Sequence, residues 1–191
     1  RFEQVDERTV KVWGSKWVDT PYTVKMEGAA LTGYRSISLV GIRDPILVKQ
    51  IDDYLVKIRR EVEESHVLSS AETNKDYTMV FRLYGKNGVL GEMETIKEEP
   101  YEIGLVMDVV AKSQDLANEV VQLAYIRFGY DDYPGRMTTA GNMATPYSPH
   151  FFSVGPVYQF NVWHLMPLED ATEPFRIEVV EFPREKGGQV G

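Results

Sequence analysis

The residues best suited to chemistry gather in one stretch, 129–156, which reads Gly-Tyr-Asp-Asp-Tyr-Pro-Gly-Arg-Met-Thr-Thr-Ala-Gly-Asn-Met-Ala-Thr-Pro-Tyr-Ser-Pro-His-Phe-Phe-Ser-Val-Gly-Pro. Arg136 is its one fixed cation, and a guanidinium offers a planar fork that matches a carboxylate or a phosphate. Thr138, Thr139, Asn142, Thr145 and Ser148 add hydroxyls and an amide, set among glycines that let the backbone approach a ligand closely. The stretch has no sustained hydrophobic period, and structureless segments longer than ~12–15 residues in compact domains tend to be functional. Three uses stay open: a site facing a small acidic or acyl molecule, a surface whose Tyr130, Tyr133, Tyr147, Phe151 and Phe152 anchor a partner, and a loop packed on itself.

Outside this stretch the chemical signals are thinner. The histidines are His66, His150 and His164. His164 falls in a strong strand pattern, where a hydrogen-bonded structural histidine is the default and a general acid–base role the sharper alternative. No HExxH or comparable spacing assembles a zinc site, so no metal ligands are assigned. Ser148-Pro149-His150 lacks the strained elbow of a serine nucleophile. Asp131-Asp132 borders the stretch without the spacing of a calcium loop. Arg43-Asp44-Pro45 opens a helix, but an aspartate cap occupies the amides an anion would use. With neither a Walker lysine nor GxGxxG after a strand, the cofactor is left unknown.

Composition narrows the classes further. The 191 residues carry 21 Lys and Arg against 29 Asp and Glu, a formal net charge of −8, which argues against a nucleic-acid partner. With no cysteine, disulfides, thiolate catalysis and Cys-ligated metals are excluded. No apolar run approaches the ~20 residues of a membrane helix, and a cytoplasmic location is expected. The chain opens on Arg1, read as a trimmed product or part of a longer chain. The polar tail 183–191 follows a single expected domain over 1–182.

The elements that must position these residues follow from periodicity. Asp44 as N-cap, Pro45 at the first helical position, and Leu47, Ile51, Leu55, Ile58 and Val62 at spacings of three and four predict a helix over 44–62. Strands are expected at 34–40, 77–84 and 157–165. The near-continuous apolar run 103–110 suggests a strand covered on both faces. Ser113 caps a second helix, expected to end near Phe128. The order β-α-β-β-α-β predicts an α+β chain with a ferredoxin-like split core, an open mixed α/β sheet being the alternative. Segments 9–13 and 22–26 are expected to form an N-terminal strand pair, and 175–181 a closing strand.

Two blocks carry a family resemblance. Gly33-Tyr34-Arg35-Ser36-Ile37-Ser38-Leu39-Val40-Gly41-Ile42-Arg43-Asp44-Pro45, followed by Gln50-Ile51-Asp52, resembles a segment of the acyclic terpene utilisation AtuA-like family. Tyr133-Pro134-Gly135-Arg136, Thr139-Ala140-Gly141-Asn142, Ser153-Val154-Gly155-Pro156-Val157-Tyr158 and His164-Leu165-Met166 resemble the end of the same region. The likeness covers about residues 28–166. It implies the C-terminal domain or small subunit of a metabolic enzyme acting on small branched acids or their acyl thioesters. Family members typically carry a long Gly-rich N-terminal portion, absent here, so a homo- or hetero-oligomer with a Gly-rich larger subunit is expected. In that reading Thr138, Thr139, Gly141, Asn142 and Tyr158 face the substrate, and Arg136 and His164 are the catalytic candidates. A non-catalytic assembly subunit is the alternative.

Overall fold

The computed structural model describes residues 1–68, 71–73, 75–139 and 142–182. Their elements run β1 (Phe2–Gln4), β2 (Val10–Val12), β3 (Thr23–Ile42), α1 (Pro45–Lys49), α2 (Ile51–Glu63), β4 (Tyr77–Tyr84), β5 (Ile103–Ala111), α3 (Gln114–Tyr130) and β6 (Phe152–Pro167). The class is α+β: a two-stranded sheet β1-β2 and a four-stranded antiparallel sheet in the order β4-β5-β3-β6. Where the sequence suggests one domain over 1–182, the chain divides into two compact units, residues 29–159 and residues 1–28 with the chain from 160 onward.

In the 29–159 unit, β5 lies between two antiparallel neighbours. Tyr34 to Ile42 of β3 stand opposite Ala111 back to Ile103, and Tyr77 to Tyr84 of β4 stand opposite Ala111 back to Gly104. Side chains alternate across a sheet, so Ile103, Leu105, Met107, Val109 and Ala111 share one face, and all are buried. Against that face pack α3, through Ala117, Val120, Val121 and Ala124, and α2, through Ile51, Tyr54, Leu55, Ile58 and Val62. The expectation of a strand covered on both faces is corrected. Gly104, Val106, Asp108 and Val110 are only partly buried, and Asp108 pairs with Arg35 at 2.9 Å and Arg82 at 3.3 Å across the open face. The apolar run mixes a core face with a half-exposed one.

Beneath β3 the core turns polar. Ser36 and Ser38 are fully buried, and Asn118 of α3 answers with one oxygen. Asn118 Oδ1 accepts from Ser36 Oγ at 2.6 Å, from Ser153 Oγ at 2.9 Å and from Gln114 Nε2 at 3.2 Å. Ser38 Oγ donates to the His150 carbonyl at 2.6 Å. The chain around the start of β6 is thus joined to β3 and α3 by hydrogen bonds.

Other expectations need revision. The helix at 44–62 is two: Asp44 caps α1 and Pro45 begins it, but the chain breaks at Gln50 before α2. The N-terminal strand pair differs, because β2 pairs with β1, Phe2 opposite Val12, while 22–26 opens the long strand β3. Segment 175–181 contains no strand. The unstructured stretch shortens from 129–156 to 131–151, since α3 and β6 both extend into it.

In the other unit, the first residues of β3 and the last of β6 run as a ribbon closed by Leu168 N–H on the Tyr22 carbonyl at 2.9 Å. Among its described residues none is buried.

Leu105→Ala is expected to cost about 2–5 kcal/mol of stability in a denaturant titration, through the cavity it leaves beneath α3. Val106→Ala, one residue along on the half-exposed face, is expected to cost less than about 1.5 kcal/mol. Equal losses at both positions would contradict the one-sided core.

Candidate functional site

Three polar side chains at and after the helix break hold the long connection. Gln50, Tyr54 and Lys57 follow one another at spacings of four and three, which puts them on one side of α2. Gln50 Nε2 donates to the Pro134 carbonyl at 2.9 Å and to the Ile46 carbonyl at 3.0 Å. The Tyr54 hydroxyl lies 2.8 Å from both the Phe128 and the Asp131 carbonyl oxygens and shares one proton between them. Lys57 Nζ donates to the Asp132 carbonyl at 2.6 Å. Tyr54 also meets Phe128 and Tyr133 edge to face, at centroid distances of 5.3 and 5.2 Å.

Tyr133, buried by this packing, connects the loop to the helix start. Its hydroxyl donates to Asp44 Oδ2 at 2.6 Å, and Asn142 Nδ2 donates to the same hydroxyl. The other Asp44 oxygen accepts from the Ile46 amide at 2.9 Å, so one carboxylate both caps α1 and holds the loop. Burial, then the Asp44 contact, pushes the Tyr133 hydroxyl well above the usual phenol range. Burial does the same to Tyr54.

Past Asn142 the chain meets the sheet. Ala144 N–H and carbonyl exchange 2.8 Å hydrogen bonds with Gly41 of β3. The result is a cavity of about 470 Å³ bounded by Gly41, Arg43, Asp44, Glu102, Gly104, and the 142–144 segment. Arg43 stacks on the Tyr101 ring, 3.5 Å from its centroid. The cavity size suits a small molecule.

The structure separates the residues singled out in sequence. Arg136, Thr138 and Thr139 come together around a shallower hollow of about 370 Å³ with Tyr130 and Asp132. There Gly135, at φ +83°, turns the chain so that the Arg136 guanidinium reaches back to the end of α3. Its N–H groups donate to the carbonyls of Tyr130 and Asp131 at 2.7 Å, Thr138 at 2.6 Å and Gly129 at 3.3 Å. A cation on the last carbonyls of a helix is well placed electrostatically. Asn142 lines the larger cavity instead. Tyr158 is exposed on β6, outside the lining of both hollows, and His164 is exposed in the other unit. Gly141 and the tail 183–191 lie outside the described residues. Among the described residues no group of three or more acidic or histidine side chains is placed to hold a metal ion, and no helix is long and apolar enough to cross a membrane.

Sequence reasoning missed Gln50, Tyr54, Lys57, Glu102 and Tyr101. For the first three the signal is present as a 4-3 polar stripe beside the apolar one. For Glu102 and Tyr101 nothing local marks them.

Tyr54 and Tyr133 have hydroxyls raised above 10.0 in the fold, so the folded state binds more protons than the unfolded state at higher pH. Their stabilising effect is complete below about pH 10 and is lost as pH rises beyond it. Stability is therefore expected to fall above about pH 10, and Tyr133→Phe to flatten that fall. The same variant is expected to cost about 1–2 kcal/mol at neutral pH and to speed amide exchange at Gly41 and Ala144. Unchanged exchange there would show that the 142–144 segment does not depend on the Tyr133 hydroxyl.

No protein-family model matches the chain, and no curated protein or solved structure matches it.

Proposed function

We propose that this chain is the assembly domain of an AtuA-like metabolic enzyme, docking on a larger Gly-rich catalytic portion that handles small branched acids or their acyl thioesters. The observation that carries this reading is the unit formed by residues 1–28 and the chain from 160 onward. It has regular β structure yet none of its described residues is buried. Phe160 is 70%, Trp163 80% and Trp17 88% exposed, and Tyr22, Leu165, Phe175 and Ile177 are exposed with them. A two-stranded ribbon is at best marginally stable in water, and large exposed aromatics are the residues that concentrate binding energy at interfaces. A partner surface would supply the apolar environment this ribbon lacks.

The resemblance in 33–45 and 133–166 supports the choice of partner, since members of that family typically carry a long Gly-rich portion beside the matched region. Arg136 fits the assembly role better than a catalytic one, because backbone carbonyls already engage its guanidinium. For the 29–159 unit we read a ferredoxin-like plan. The strand order β4-β5-β3-β6 and the packing of α2 and α3 on the sheet's buried face support it.

The test is to mix the purified chain with a separately produced Gly-rich portion of an AtuA-like enzyme and measure mass by light scattering after size exclusion. A stoichiometric complex is expected, lost in Trp163→Glu and kept in Trp163→Phe. Both substitutions fall at an exposed position, so the folding of the 29–159 unit is expected to be unchanged. A chain that forms no complex, or whose Trp163→Glu variant binds as well as the original, would overturn the reading.

A further inference from the structure

The floor of the 470 Å³ cavity is a pair of glycines, Gly41 and Gly104, directly opposite each other in the β3–β5 ladder. Neither has a positive φ. A Cβ added to Gly41 would come no closer than 3.7 Å to Ala144 Cβ, and one added to Gly104 no closer than 3.7 Å to Tyr84 Cβ, both ordinary contacts. Packing therefore does not require glycine at either place. Glycine inside a strand weakens it, and its use commonly marks a place where another group must come close. What the two missing side chains leave is open space between charged walls.

Those walls carry one uncommitted charge of each sign. The Arg43 guanidinium sits over the Tyr101 ring, 3.5 Å from its centroid, and the residue is exposed; it makes no hydrogen bond or ion pair among the described residues. The Glu102 carboxylate likewise has no partner among the described residues. Asp44, by contrast, is fully engaged by Ile46 and Tyr133. Ala144 adds apolar surface on one side, its Cβ being the nearest atom to a Cβ placed on Gly41. A simple anion would find Arg43 but meet two carboxylates, and a simple cation would meet Arg43. A molecule bearing both charges satisfies both walls.

We infer that this cavity binds a free α-amino acid with an apolar side chain, its carboxylate on Arg43, its ammonium on Glu102 and its side chain over the glycine floor beside Ala144. The site lies wholly within the 29–159 unit, so it stands or falls independently of ribbon docking. Calorimetric titration of the full chain with L-leucine tests it, with N-acetyl-L-leucine and L-leucinamide as probes that each lack one charge. L-leucine is expected to bind, and each analogue to bind at least about tenfold more weakly, as loss of a charged hydrogen bond implies. Arg43→Gln and Glu102→Gln are each expected to weaken leucine by a similar factor. The double variant Gly41→Ala/Gly104→Ala is expected to weaken it with an unfolding midpoint no lower than the original's, because alanine fits both strand positions. Absence of any binding heat at millimolar leucine would overturn the proposal. So would N-acetyl-L-leucine binding as well as leucine with Glu102→Gln neutral, which would mark an anion site instead.

Discussion

The 29–159 unit depends on the one-sided burial of β5. Five alternate residues from Ile103 to Ala111 are removed from water by α2 and α3, and both neighbouring strands take their register from this one. A slip of one residue would put Asp108 under the helices and Met107 in solvent, so the register is strongly specified. Ala117 and Ala124, fully buried like Val120 and Val121 between them, are small enough to let α3 lie close on that surface. On the open face, Asp108 is held by Arg35 and Arg82, giving the strand an ionic side opposite its apolar one.

That asymmetry explains which parts of the fold were legible in sequence. The strand at 77–84 and the helix cap at Ser113 were readable because local chemistry alone decides them. The run 103–110 reads as covered on both faces because Val106 and Val110 are apolar without being core, and periodicity cannot distinguish a covered face from a half-covered one. The break at Gln50 was hidden because apolar spacing continues across it from Leu47 to Ile51. At the break the Gln50 side chain donates to the Pro134 carbonyl, 84 positions along the chain, a contact that no local pattern encodes. At 175–181 the expected closing strand is missing, because the segment pairs with no strand among the described residues.

The candidate site was half legible for a similar reason. Asn142 and Arg136 were identifiable as unusual, but which cavity each would face depends on the course of the loop. The loop is set at a distance by Asp44, whose two oxygens divide between a helix amide and a phenol. Glu102 and Arg43 reach the same cavity from strand ends 59 positions apart (102 − 43), a proximity that no local pattern encodes. Because the Ile46 amide and the Tyr133 hydroxyl each take one oxygen, the Asp44 side of this cavity presents a carboxylate whose two oxygens are both hydrogen-bonded.

Gln50, Tyr54 and Lys57 share a property with a wider meaning. All three grip the loop by main-chain carbonyl oxygens, as Arg136 does from within it. Every residue type carries a carbonyl, so these anchors do not depend on the loop's side chains at the positions they hold. The path of the connection is thereby separated from its chemical content. Side chains along it can be exchanged for new ligands or partners while the scaffold keeps the same course.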